Sequence, residues 1–159
     1  MDEKIVVPLD GSKVGEAALP YVEDLVSKLS PEVKVEISLL QVLQRAPARI
    51  VGGESYIPPT DFSEKQMEET RKQAIEYLNK AGESLRSKRA TVTARTAVGN
   101  TPEEIVKVAE EINANFIAMS THGRSGFSRW AFGSVTDKVL RMEGRIPIIM
   151  VRGPKAKGV

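Results

Sequence analysis

The chain has 159 residues, 41% hydrophobic and 28% charged, a balance that suits a globular domain with a real core rather than a disordered segment. Its 23 basic and 21 acidic residues leave a formal net charge of +2, too even for the bulk positive field on which nucleic-acid binding relies. Cysteine is absent and histidine occurs once, which removes disulfides, thiolate chemistry and any zinc site built from several His or Cys ligands.

In chain order, MDEKIVVPLD begins acidic and runs straight into a strand pattern at residues 4–9, so no signal peptide is expected. No apolar run is long enough to span a bilayer, and with the missing cysteines this predicts a cytoplasmic protein without membrane contact. The turn Asp10-Gly11-Ser12 closes the strand. Val14, Ala17, Ala18, Tyr21, Val22, Leu25, Val26 and Leu29 then recur at helical spacing. Pro20 inside that pattern marks either a bend or a later helix start, and Pro31 closes it. Residues 33–43 alternate at Val33, Val35 and Ile37 and become continuously apolar at Leu39-Leu40, as a strand covered on both faces does. Residues 44–62, with Pro47, Gly52, Gly53, Pro58 and Pro59, read as a long loop, and loops of that length are usually functional or mobile. Ser63 reads as the cap of a second long helix with a stripe at Met67, Ala74, Ile75, Leu78, Ala81 and Leu85.

The basic cluster Arg86, Lys88 and Arg89 reads as a solvated helix end. Residues 91–98 carry a third strand pattern. Thr101-Pro102-Glu103-Glu104 follows as a Thr-x-x-Glu capping box with proline at the first helical position, and Ile105, Val108, Ala109 and Ile112 continue its helix. Residues 116–119 read as a short buried strand, 135–142 as a fourth helix, 146–151 as the last strand and 154–159 as a flexible tail. The alternation of strand and helix shows no internal repeat or composition break. It predicts a single doubly wound α/β domain over residues 1–153, with a mainly parallel five-stranded sheet and helices on both faces. Such sheets bind ligands outside the carboxyl ends of the strands, where the strand order reverses.

One stretch at that edge, STHGRSGFSRWAFGS at 120–134, gathers three of the twelve glycines, two arginines, several hydroxyls and the histidine. Gly123, Gly126 and Gly133 let backbone N–H groups approach an anion, and the start of the following helix adds partial positive charge. Ser134 and Thr136 offer hydroxyls, and Arg124 and Arg129 offer charge, which together describe a cradle for a phosphorylated ligand. The plain alternative is that Ser134 is an N-cap ahead of Asp137, the glycines permit turns and the arginines are solvated. The spacing is not that of a P-loop, and no GxGxxG follows the first strand. His122 lacks a GxSxG elbow or paired acid–base groups and is not read as catalytic, while Trp130 and Phe132 read as packing residues.

From IVVPLDGS through TAVGNTPEEI to STHGRSGFSRWAFGSV and the final IPIIMV, the chain resembles the universal stress proteins. ATP-binding members of that family carry a glycine, two residues, a second glycine, nine residues and then Gly-Ser or Gly-Thr. Gly123, the next nine residues and Gly133-Ser134 match, while Ser120 stands where the first glycine would be. The resemblance implies strand order 3-2-1-4-5 and ATP as ligand. It implies that Pro8, Leu9 and Asp10 meet the adenosine, with the carboxylate at the ribose, and that Val42 and Met119 line the base pocket. Ser120, Gly123, Arg124, Gly133, Ser134, Val135 and Thr136 fall on the phosphate side. Asp10 has a second reading, an Asx turn leading into the first helix, and Lys13 reads as solvated.

The same resemblance implies a homodimer, and the last strand would otherwise be an unprotected apolar edge. Mg²⁺ or Mn²⁺ would be held through the ligand's phosphates. Without a Walker lysine or arginine finger, ATP hydrolysis is expected to be slow at most, with the nucleotide setting the state of the 44–62 segment or of the dimer. The alternatives are a stress scaffold that has lost nucleotide, for which Ser120 speaks, a protein of AMP or a cyclic nucleotide, and a weak enzyme acting through His122 or Asp10.

Overall fold

Ile5, Val6 and Val7 are all fully buried, and successive strand side chains point to opposite faces. Strand β1 (Asp2–Pro8) is therefore covered on both sides, as a central parallel strand is. It pairs in parallel with β2 (Lys34–Leu43), which pairs in parallel with β5 (Ala90–Val98). On its other side β1 pairs in parallel with β6 (Phe116–Ser120), and β6 with β7 (Ile148–Val151). The computed structural model, which describes residues 1–44, 49–51, 54–56, 60–86, 89–121 and 134–153, thus has a five-stranded sheet in the order β5-β2-β1-β6-β7. Counted along the sheet strands alone this is 3-2-1-4-5, every pairing parallel, as expected.

The two faces have separate cores. On one, Ile5, Val7 and Leu39 pack with Ala18 and Val22 of α1 (Ala18–Lys28), Leu78 of α2 (Thr60–Ala81) and Leu85 of α3 (Glu83–Arg86). On the other, Val6, Leu40 and Ile117 pack with Ile105 and Ala109 of α4 (Thr101–Glu111) and Val139 of α5 (Ser134–Arg141). Burial of these side chains is the main source of stability, each full burial contributing roughly 1.5–3 kcal/mol. Among the described residues no helix is long and apolar enough to cross a membrane.

Several local expectations need correction. Helix α1 starts at Ala18 after a 3₁₀ turn at Gly15–Ala17, so Pro20 falls in the first turn, where its missing N–H has no intrahelical acceptor to lose. Helix α2 begins at Thr60 rather than after a cap at Ser63. The 44–62 segment is not wholly loop: β3 (Arg49–Val51) and β4 (Glu54–Tyr56) form an antiparallel pair of their own, Val51 opposite Glu54. The two positions between them are both glycine, a hairpin signal that the prolines on either side obscured. The N-cap of α4 is Asn100, whose side chain accepts from the Glu103 amide at 3.5 Å, so Thr101 is the first helical residue and not the cap. Arg86 is not simply solvated; its guanidinium donates to the Asn79 carbonyl at 2.8 Å and side chain at 2.7 Å, tying α3 back onto α2. The predicted tail at 154–159 lies outside the described residues.

Candidate functional site

Strands β1 and β6 are in register only at Ile5–Phe116 and Val6–Ile117, although β1 continues to Pro8 and β6 to Ser120. Over that same stretch β1 stays paired with β2 as far as Pro8–Leu40, and the Leu9 amide still donates to the Leu40 carbonyl at 2.8 Å. The chain leaves β1 toward β2 and β5 on one side and returns to β6 on the other, so strand order reverses between β1 and β6. A crevice opens there, as it does at the switch point of other doubly wound sheets. It is a cavity of about 410 Å³, inside the roughly 300–1,000 Å³ range of small-molecule sites.

Every described residue of the set picked from sequence lines it: Pro8, Leu9 and Asp10 after β1, Val42 on β2, Met119 and Ser120 on β6, and Ser134, Val135 and Thr136 on α5. Gly123, Arg124 and Gly133, with His122, Gly126, Arg129, Trp130 and Phe132, lie outside the described residues. Lys13 does not line the cavity; it is almost fully solvated and pairs with Glu16 at 3.2 Å. Sequence reasoning missed Gly15, Leu40, Gln41, Gln44, Thr101 and Ile105. Thr101 and Ile105 were in reach, because a helix starting directly after β5 presents its first turn to the same sheet edge, and i, i+4 residues share a face.

The Asp10 turn is built for a carboxylate held in place. Asp10 Oδ1 accepts from the Ser12 amide at 2.9 Å and the Ser12 hydroxyl at 2.6 Å, and Ser12 Oγ accepts from the Gly15 amide at 3.0 Å. Gly11 supplies the left-handed backbone, φ +84°, that this tight reversal needs. A Cβ at Gly15 would stand 2.5 Å from Asp10 Oδ1, so only glycine lets the 3₁₀ turn sit against the carboxylate. The Asx-turn reading of Asp10 is therefore correct. It uses Oδ1, and a carboxylate has acceptor capacity on both oxygens. Asp10 is exposed at the cavity, with Oδ2 uncommitted among the described residues.

Behind this turn Tyr77 of α2 donates its hydroxyl to Glu16 Oε1 at 3.4 Å. Burial, then the negative charge of Glu16, pushes the Tyr77 phenol well above its ordinary range. On the opposite wall Ser134 is the first residue of α5. Ser134, Val135 and Thr136, whose first-turn amides have no partner within the helix and carry partial positive charge, line the cavity. Buried Thr136 donates its hydroxyl to the Ser120 carbonyl at 3.2 Å. A hydroxyl has one proton to give, which corrects the expectation that Thr136 Oγ1 donates to phosphate. Leu40, Val42, Ile105 and Met119 supply the apolar lining. The arrangement combines an apolar slot, a carboxylate and a helix start around one hollow, the complement of a ligand with a flat apolar part, hydroxyls and an anion.

The family model of the universal stress protein family matches residues 1–152. The universal stress protein YxiE of Bacillus subtilis is 29% identical over 154 residues, covering 96% of this chain and 100% of its own. The solved structure of MJ0577, a universal stress protein of Methanocaldococcus jannaschii, superposes with a TM-score of 0.77 at 24% identity, covering 97% of this chain and 98% of the other. A universal stress protein solved in complex with cAMP superposes with a TM-score of 0.61 at 18% identity, covering 96% and 98%. The chain belongs to the universal stress protein family.

Proposed function

We propose that this chain binds ATP in the switch-point cavity and acts as a nucleotide-dependent stress regulator in the cytoplasm, with at most slow hydrolysis. The observation that carries the reading is the convergence on one hollow of Asp10, the Val42–Met119 apolar pair and the start of α5, three pieces far apart in sequence. In this reading the base lies against Val42, Met119, Leu40 and Ile105. The ribose hydroxyls donate to Asp10 Oδ2, and the phosphates take amides of the first α5 turn together with Gly123, Arg124 and Gly133. Mg²⁺ or Mn²⁺ would bind through the phosphates, which asks few ligands of the protein.

The test is mass spectrometry of the small molecule that co-purifies with unheated protein, followed by titration calorimetry with ATP. Asp10→Asn keeps an Oδ1 acceptor for the Ser12 turn but loses the charge, so its expected effect is at least tenfold weaker ATP binding, about 1.4 kcal/mol or more, with an unchanged melting temperature. Protein that comes off the column bare and shows no heat with millimolar ATP would favour the scaffold reading instead. A monophosphate or cyclic nucleotide is the second reading, favoured by the commitment of Thr136 Oγ1 to Ser120, which leaves fewer donors for a long phosphate chain. Competition among ATP, AMP and cyclic AMP ranks the two.

A further inference from the structure

The Asp10 carboxylate is held by a chain of contacts that ends outside its own turn. Gly15 lies directly against it, since a Cβ there would stand 2.5 Å from Asp10 Oδ1, and the Gly15 amide donates to Ser12 Oγ at 3.0 Å. Glu16 follows in the same 3₁₀ turn, its amide donating to the Ser12 carbonyl at 3.2 Å. The Glu16 side chain then leaves the turn and accepts from the Tyr77 hydroxyl of α2 at 3.4 Å. That hydroxyl is close enough to the turn to feel the Asp10 charge and the Gly11 main chain. The Tyr77 ring packs against the core that holds Leu78 and Leu85, so the hydroxyl is presented from a firm base.

Glu16 has a second partner, Lys13, but the two contacts differ in weight. The Glu16 side chain is 18% exposed and that of Lys13 is 95% exposed. An ion pair to a solvated lysine fixes little, because the long side chain gives up freedom to hold one geometry. Tyr77 is the partner able to orient Glu16. A shift of Glu16 passes to Gly15 through one peptide bond, and Gly15 has no clearance from Asp10 Oδ1. A carboxylate recognises sugar hydroxyls only while it stands within hydrogen-bond reach of them, so displacements well below 1 Å matter. Resting on the nucleotide reading above, we propose that Tyr77 is a positioning residue: through Glu16 and the 3₁₀ turn it holds the Asp10 carboxylate where it receives the ribose hydroxyls, and so sets the preference for nucleotides with an intact ribose diol.

The experiment compares ATP with 2′,3′-dideoxy-ATP, which keeps the base and phosphates and lacks both hydroxyls, by calorimetry on the full chain. Wild type is expected to prefer ATP by about tenfold or more, because a site built to hydrogen-bond a hydroxyl rejects the analogue without it. Tyr77→Phe keeps the ring in the core and should weaken ATP about three- to tenfold, while dideoxy-ATP changes by less than about twofold. Glu16→Ala should reproduce that loss, and Glu16→Gln, which keeps an acceptor for the phenol, should retain the preference. The double variant Tyr77→Phe, Glu16→Ala should lose no more than either single one, since both act along one chain of contacts. An unchanged ratio in Tyr77→Phe overturns the assignment, as does an equal loss for both nucleotides, which would leave Tyr77 a packing residue only. Fully additive losses in the double variant overturn the route through Glu16. Wild type that binds both nucleotides equally refutes the placement of the ribose at Asp10, and wild type that binds neither refutes the ATP reading itself.

Discussion

Ser120 is the residue at which the chain leaves its family's ATP-binding pattern, and its surroundings explain why serine fits. It closes β6 in register with Val151, in ordinary strand backbone that asks nothing of glycine's wider conformational range. Its carbonyl receives the Thr136 hydroxyl, so the main chain here is already oriented by a neighbour. Ser120→Gly should accordingly change ATP affinity by less than tenfold, under about 1.4 kcal/mol, in calorimetry; a hundredfold gain would mean that the side chain obstructs the ligand. Other site residues were legible to different depths. Asp10 and Met119 came from the family resemblance, and both stand at the carboxyl ends of strands, where ligands of such sheets gather. Thr136 did not give up its role to sequence, because only coordinates reveal that its proton goes to a carbonyl sixteen positions earlier. Gln41 was invisible for a related reason: it falls out of step with the polar alternation of Lys34, Glu36 and Ser38 on the same strand and so carries no periodic signal.

Among the elements, strands and helices declared themselves where two faces had to be covered, and failed where local chemistry decided a boundary. The apolar runs of β1, β2 and β6 needed no structure to be found. The cap of α4 was misplaced by one residue because Asn100 and Thr101 are both capable caps and Glu103 sits three beyond the first of them. The β3–β4 pair was lost beneath the prolines around it. One contact between elements joins α2 to the Asp10 turn, the Tyr77–Glu16 hydrogen bond, and it carries a pH signature. The folded state holds the phenol proton more tightly than the unfolded chain, whose tyrosine ionises near 10.0. The contribution is thus complete below that value and declines as pH rises above it, where the unfolded state sheds the proton first. Urea melts of wild type and Tyr77→Phe across pH 8 to 11 should show the wild type losing more stability above about pH 10, and parallel curves would contradict the linkage.

At the scale of the whole molecule, β7 ends the sheet with no strand paired to its outer side among the described residues, and all four of its residues are apolar and only partly covered. Beside it a second hollow of about 280 Å³ is lined by Val106, Ile117, Val139, Leu140, Met142, Gly144, Ile146 and Ile148. Leu140 is 40% exposed there, a large apolar side chain that a solitary subunit gains little by displaying. A homodimer formed along β7 would bury that surface and remove the open edge. Leu140→Glu leaves the core untouched, so sedimentation should report a shift from dimer to monomer with helix content unaltered; a variant that sediments as wild type does would place any dimer contact elsewhere.

Helix α5 touches both hollows: Ser134, Val135 and Thr136 border the first, Val139 and Leu140 the second. Eight residues at 1.5 Å each make a stiff rod of about 12 Å, pinned near its head by Thr136 and packed through Val139 into the core that holds Ile117. A rigid rod displaced at one tip would carry the displacement to the other, so the geometry gives an occupant of the crevice a short route to the apolar surface beside β7.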